Sequence, residues 1–346
     1  MRITRHSRTG LMAIVAVTAA MLTLQGCATG TTAASAPGST ASAAPLVPIK
    51  VAGARWIELS PVLVAANSFY PQKIDVPSGG VVSITSGAAD IATNAETQLL
   101  RESIANPDLR IIMTVSESFY RLVARRSAGI STLADLKGKR VLVPRLTSAH
   151  YYLFAMLRSA GLKEEDVTFV SLPPPPAGTP PGGGTNRFRM AEALARGEAD
   201  VLATFEPEPQ VAMNLLGKDG IVLQDRKVYR EAFNLNARAS DLANPEKRRA
   251  IVRFVRAVAD ATRALKKDRT PYVGHISGVL GFTPEQIGWG WPETQFPVRI
   301  IPDMLDVLEV EEQWLAKVSN RAPRSRTELE KLIDRSVVEE ALKLKL

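Results

Sequence analysis

Two carboxylates stand at matching places in this chain. Residues 87–96 read G-A-A-D-I-A-T-N-A-E and residues 197–206 read G-E-A-D-V-L-A-T-F-E. In each, Gly is followed two residues on by Ala-Asp, then by a short apolar run and a Glu. An acid at the end of such a run can accept hydrogen bonds from an amine or a hydroxyl. Glu206 precedes Pro207, which biases it away from helical angles, and no capping pattern uses it. It is therefore the better carboxylate candidate for a bound solute. Glu96 has a local role instead, because Thr93-Asn94-Ala95-Glu96 fits a T-x-x-E capping box. That leaves Thr93 and Asn94 as the cleft candidates of the first segment.

Other side chains of suitable chemistry stand at similar breaks. Arg55 can face an anionic group or serve as a surface arginine. Trp56 and Phe205 can stack on an aromatic ligand, and Trp56 can equally pack in the core. Ser116 sits between two strand-like runs. Thr147 and Ser148 open an apolar helix whose free N–H groups suit an anion. Trp289 and Trp291 read as packing residues of a C-terminal loop. His150 and His275 are too isolated for a metal site, so neither a metal nor a cofactor is expected. Residues 274–278, G-H-I-S-G, miss the spacing of a serine-hydrolase elbow, and no Walker A or G-x-G-x-x-G run appears.

The matching segments imply how these groups are placed. Gly tolerates the left-handed conformation that follows a helix, an apolar strand comes next, and its end delivers polar side chains. In open α/β sheets ligands bind beyond the carboxyl ends of strands. Two copies suggest two similar α/β lobes facing one cleft.

In chain order, the apolar periodicity predicts strands over 49–53, 73–76, 109–115, 120–124, 141–143 and 166–172. Ser60 and Pro61 open a helix over 60–66 as N-cap and N1, and 78–83 reads as a loop. Ser148 caps a helix over 151–159 that ends at Gly161. Further helices cover 187–196, a stretch from Pro207, and 245–267, whose basic face is solvated. Two more close the chain over 303–318 and 325–342, the last capped by Thr327 with Glu330. Residues 173–184, PPPPAGTPPGGG, form neither helix nor central strand. They read as a solvent-exposed insertion, or as a cleft lid or partner-facing loop.

The N-terminus carries an address. Arg2, Arg5 and Arg8 precede an apolar stretch over 11–24 that is short for a membrane span. Leu24-Gln25-Gly26-Cys27 resembles a bacterial lipobox, with Gln25 in place of the usual small or β-branched residue. Cys27 is the only cysteine, which excludes internal disulfides, cysteine metal clusters and a catalytic thiol in the body. Residues 28–47 are small and polar, a tether with a typical span of ~25 Å. The expected organisation is a signal peptide over 1–26, lipidated Cys27 with its tether over 27–47, one lobe over 48–123 plus 236–346, and a second over 124–235.

The 346 residues are 45% hydrophobic and 23% charged, a globular composition with net charge +8. Without the first 26 residues, 40 basic and 35 acidic residues remain, spread along the chain, so nucleic acid is not an expected partner.

ISTLADLKGKRV (130–141), AGLKEEDVTFV (160–170) and ALARGEADVLATFEP (193–207) together resemble the periplasmic solute-binding proteins of ABC importers, in the nitrate, sulfonate and taurine branch. The last is similar to that family's G-x-x-D-A-x-x-x-W-E/D-P, with Phe205 where Trp is usual. TSAH (147–150) is similar to the S-S-A-H of sulfonate-binding members, with Leu146 where they place Gly. The resemblance implies a two-lobed α/β fold of type II with crossover strands near 122–125 and 233–237. It also implies hinge closure on a small, sulfonate- or carboxylate-like solute, and delivery to an ABC permease in the inner membrane. Its binding positions fall here on Arg55, Trp56, Thr93, Asn94, Ser116, Thr147, Ser148, Phe205 and Glu206. The expected protein is a monomeric, membrane-anchored periplasmic lipoprotein and not an enzyme. A lipid-anchored sensor or adaptor with the same fold is the alternative, and an enzyme on this scaffold a more remote one.

Overall fold

β-branched and aliphatic runs bounded by glycines and helix ends become short buried strands, and their order in space makes two sheets. The computed structural model describes residues 45–173 and 187–344. The leader, Cys27, most of the tether and nearly all of the Pro/Gly loop lie outside the described residues.

The strands are β1 (Val51–Gly53), β2 (Ile91–Ala95), β3 (Leu109–Ser118), β4 (Arg121–Arg125), β5 (Arg140–Leu142), β6 (Thr168–Val170), β7 (Val201–Thr204), β8 (Gly220–Leu223), β9 (Glu231–Arg238) and β10 (Thr294–Gln295). The first sheet runs β1-β2-β9-β3-β10 and the second β6-β5-β7-β4-β8. The chain leaves the first sheet after Ser118, enters the second at Arg121, and returns between Leu223 and Glu231. This is the two-lobed mixed α/β architecture of type II, and both crossovers fall in the neighbourhoods expected. The lobe boundaries shift, however. Residues 121–123 pair in the second sheet, while 231–235 pair in the first, between β2 and β3.

The helices are α1 (Ser60–Val64), α2 (Val81–Thr85), α3 (Glu96–Glu102), α4 (Ser148–Ser159), α5 (Arg189–Ala195), α6 (Glu208–Leu216), α7 (Ala239–Ala243), α8 (Pro245–Lys267), α9 (Thr270–Leu280), α10 (Pro284–Gly290), α11 (Met304–Val318), α12 (Arg326–Glu330) and α13 (Arg335–Lys343). Helix α8 has its predicted bounds. Asn244 caps it by accepting from the backbone N–H of Glu246 and Lys247, and Pro245 takes N1, where a missing N–H does no harm. Its apolar stripe, including Ile251, Phe254, Val255 and Val258, is fully buried. Its basic side chains are partly committed, with Arg256 and Arg263 both on Asp260 and Arg248 on Glu340.

Several local expectations give way. No strand forms over 73–76, and 81–85 is a helix where a loop was expected. Ser60 lies inside α1, after a 3-10 turn over Ile57–Leu59, and its hydroxyl donates to the Ile57 carbonyl instead of capping. The closing helix is two, and Ser325 with Glu328, not Thr327 with Glu330, makes the capping box.

Candidate functional site

Gly87 and Gly197 adopt φ of 77° and 78°, the left-handed residues that turn each helix into its strand. The two matching segments are thus the same device in the two sheets. Their acids are used differently. Glu96 caps nothing: Ala95 is the N-cap of α3 and makes no side-chain cap. The Glu96 carboxyl is fully buried and accepts from Tyr229 Oη at 2.6 Å and from the Ala232 N–H at 2.9 Å. Glu206 is 5% exposed and pairs with Arg121, whose Nε donates to Oε1 at 2.7 Å, while its second oxygen has no partner.

Between the sheets runs a chain of aromatic rings. Trp56, just beyond β1, meets Phe205, just beyond β7, with centroids 4.8 Å apart. Tyr120, in the first crossover, lies 5.6 Å from Phe205 and 5.7 Å from Tyr229 of the second crossover. Tyr120 Oη and Ser148 Oγ are 3.0 Å apart, and Ser148 Oγ donates to Glu231 Oε1 at 3.2 Å. Ser148 is therefore not the cap of α4 but the first residue of that helix, tied across the junction.

The remaining predicted residues are placed as follows. Thr93 and Ser116 are fully buried on β2 and β3, and neither hydroxyl has a hydrogen-bond partner. Asn94 accepts from the neighbouring Ala95 N–H, and Thr147 donates to the Pro144 carbonyl, so both are occupied locally. Arg55 is exposed. Burial lowers the pKa of Arg187, just before α5, and the positive charge of Arg55 lowers it further. The Arg187 Nε is buried without an acceptor. Among the described residues neither Arg55 nor Arg187 has an acidic partner, and the two are near enough for their charges to repel. His150 is a fully buried packing residue, accepting from the Leu146 N–H at Nδ1, with Nε2 2.8 Å from Glu164. Trp291 packs on Phe296 at 5.0 Å. Among the described residues no group of three acidic, His or Cys side chains is arranged to hold a metal ion, and no helix is long and apolar enough to cross a membrane.

Sequence reasoning missed the acids at the junction's centre. Glu58, Glu231 and Glu311 join Glu96 there, each no more than 3% exposed. Glu58 accepts from Ser118 Oγ at 2.8 Å, and Glu311 projects from α11 toward Glu96. Burial pushes all four carboxyls above their ordinary range, and their mutual repulsion pushes Glu231 and Glu311 further. One sequence signal existed for Glu311. It stands between Leu308 and Leu315 on the buried stripe of α11, where the helical period calls for an apolar residue.

Comparison with known proteins adds a family. The NMT1/THI5-like family model matches residues 74–269. The taurine-binding periplasmic protein of Escherichia coli is 29% identical over 156 residues, 44% of this chain and 43% of that protein, so the match spans less than half of that relative. The crystal structure of the periplasmic aliphatic sulphonate binding protein SsuA from Escherichia coli superposes with a TM-score of 0.64 at 18% identity, covering 84% of this chain and 98% of that one. The desulfurization enzyme DSZB superposes with a TM-score of 0.63 at 18% identity, covering 85% and 99%. At such identities the two structures share the fold with this chain, and that fold serves both a binding protein and an enzyme.

Proposed function

The chain belongs to the NMT1/THI5-like family, and on that premise we propose that it is the solute-binding component of an ABC importer. The observation that carries this reading is the junction itself. Two sheets joined only by crossover segments meet through Trp56, Phe205 and Tyr120, the arrangement a hinge needs to close on a small molecule. The names of the relatives favour a sulfonate-type solute. Arg55 and Arg187 support an anion, because among the described residues neither has an acidic partner and a sulfonate or carboxylate near both would relieve their repulsion. Thr93, Ser116 and Glu206 retain free polar atoms for further contacts.

In this reading the protein acts as a monomer, held to a bacterial membrane by a lipid on Cys27, and passes its solute to a permease. The reading is of a receptor and not of an enzyme: Ser148, bonded to Tyr120 and Glu231, has no histidine beside it as a base among the described residues.

The test is mass spectrometry of small molecules released from protein purified without refolding, followed by thermal shift with taurine, ethanesulfonate, nitrate and benzoate. A released or added anion should raise the melting temperature in a saturable way. No released solute and no shift across the panel would refute a receptor role. Intact mass of the membrane fraction, compared with Cys27→Ala, tests the lipid.

A further inference from the structure

The charge on helix α8 is lopsided. Its 23 residues carry eight bases against two acids, Glu246 and Asp260. At 3.6 residues per turn, Arg249, Arg253, Arg256, Arg263 and Lys267 share one stripe opposite the buried face, and Asp260 is the one acid among them. Bases three and four residues apart on a helix repel one another. The helix dipole also disfavours cations at the N-terminal end, where Lys247, Arg248 and Arg249 stand. Helix stability therefore accounts for the apolar face of α8 and not for this one.

The outer positions of the stripe are open to solvent. Arg249, Arg263 and Lys267 are exposed, as is Lys266 beside them, whereas Arg253 and Arg256 are half-buried. Among the described residues the ion pairs of this helix use Lys247, Arg248, Arg256 and Arg263, the last two sharing Asp260. Arg249, Arg253, Lys266 and Lys267 have no acidic partner there. Helix α13 packs alongside. Its exposed acids are Glu339 and Glu340, of which Glu340 is held by Arg248, and it adds the exposed base Lys343. From Arg249 to Lys267 the stripe runs ~27 Å, so its natural counter-charge is an extended surface and not a small ion. Arg249 Nη2 also donates to the Pro45 carbonyl at 2.7 Å, which places the start of the described chain at the N-terminal end of the stripe.

We propose that the exposed stripe of α8 is a docking surface for an anionic phospholipid bilayer. The apolar face of the helix is buried in the protein, so α8 adsorbs through charge alone and does not insert. Arg249, Arg263 and Lys267 meet lipid phosphates, with Lys266 at the rim. Such attraction fades beyond a Debye length of ~8 Å in physiological salt, so the stripe lies directly against the surface. Attachment through Cys27, proposed above, supplies the setting. A tether with a typical span of ~25 Å lets this face meet the same membrane, and an acyl anchor holds more firmly when a basic patch adds to it. The docking rests on that attachment for its setting and not on the identity of the solute.

The experiment measures, by sedimentation at low salt, binding of the full chain to vesicles of phosphatidylcholine, alone or with about 30% phosphatidylglycerol. An acyl chain on Cys27 favours both vesicles alike, so the ratio of the two affinities reports the stripe. Each base near an anionic surface contributes about fivefold, so three should give the native chain a preference of about a hundredfold for the anionic vesicles, vanishing at about 0.5 M salt. Arg263→Gln with Lys267→Gln should cut that preference to about fivefold. Lys137→Gln with Lys218→Gln, exposed bases beside β5 and β8, should leave it unchanged. If Arg263→Gln disturbs Asp260, Lys266→Gln with Lys267→Gln makes the same comparison, since neither lysine has an acidic partner to lose. The proposal is overturned if the native chain does not distinguish the two vesicles, if the stripe variants keep the preference, or if the control pair lowers it as much. No solute enters the comparison, so a failed thermal-shift screen would leave the stripe standing, and a failed stripe would leave the receptor reading standing.

Discussion

The guanidinium of Arg187 lies over the ring of Phe282, its central carbon 3.7 Å from the centroid. Arg187 leads into α5 on the second sheet, and Phe282 lies between α9 and α10, of which α9 packs with α1 on the first. The contact therefore clasps one half of the molecule to the other. Phe188 adds a stacked ring 6.3 Å from Phe282.

Phe282→Leu keeps an apolar side chain in a buried position while removing the ring. A partly buried cation–π contact contributes about 1 kcal/mol, so the closed form should weaken by about fivefold relative to the open one. Bound solute should leave about fivefold faster, and the radius of gyration in solution should rise when no solute is present. An unchanged dissociation rate and an unchanged scattering profile would show that the clasp is incidental.

Arg121 and Glu206 should respond asymmetrically to mutation. Their ion pair is nearly buried, with side-chain exposures of 13% and 5%. Above about pH 7, where Glu206 is ionised, removing the base strands a buried carboxylate, which costs about 3–5 kcal/mol, whereas Glu206→Gln keeps an oxygen that can accept from Arg121, which also reaches Gln210. Arg121→Ala should thus destabilise by about 3 kcal/mol in urea unfolding and Glu206→Gln by clearly less. Equal losses would mean that the pair contributes by packing and not by charge.

Much of this fold was legible because its determinants are local. Asn244 and Pro245 announce α8, and Gly87 and Gly197 announce their turns, since each solves a problem set by its immediate neighbours. The candidate site was less legible for the opposite reason. Glu96 sits in a sound capping box by sequence, yet Tyr229 and Ala232, more than a hundred residues away, take its oxygens. Ser148 likewise forgoes its helix for Tyr120 and Glu231. No local pattern encodes such partners, because they arise only when the two crossovers bring distant strand ends together.

Stability should fall between mildly acidic and neutral pH. Burial holds Glu206 up to about 7 despite Arg121, with Glu293 and Glu58 adding repulsion. Burial also holds Glu208 up to about 7, despite the N–H groups of Ala191 and Met190 and the Thr204 hydroxyl, with Glu192 repelling it. An ordinary Glu titrates near 4.5. From there to about 7 the fold binds protons that the unfolded chain has released, so these contributions are complete at low pH and are lost as pH rises. At the acid end Glu312 acts oppositely. Burial raises it, but Arg321 and Arg324 outweigh that and hold it near about 2, so its contribution is lost as pH falls below 4.5. A tenfold difference in proton affinity between folded and unfolded chain corresponds to ~1.4 kcal/mol, before solvent relaxation reduces it. Stability measured by urea should therefore peak around pH 5 and drop by roughly a few kcal/mol towards about pH 7.5. Glu208→Gln should flatten that decline. A stability that climbs steadily over the same range would contradict the assignment.

Leu146 adopts φ of 57°, one of two non-glycine residues found with positive φ among the described residues. It lies where sulfonate-binding relatives were expected to carry Gly, and the backbone has kept the conformation that Gly favours. Its position is fixed by three contacts: its N–H donates to His150 Nδ1 at 3.2 Å, and its carbonyl accepts from Gln98 at 3.1 Å and from Arg101 at 3.5 Å. A left-handed L-residue costs about 1–2 kcal/mol, and the Leu146 side chain is 37% exposed, so little packing offsets that strain. Leu146→Gly removes the strain at the expense of about 0.5–1 kcal/mol of added freedom in the unfolded chain. The net expectation is a protein as stable as the native one or more stable by up to about 1 kcal/mol, whereas Leu146→Val, β-branched at the same φ, should lose at least about 1 kcal/mol. Denaturant midpoints of the three proteins decide it. A Gly variant clearly less stable than the Val variant would mean that the Leu146 side chain, and not its backbone, holds the start of α4.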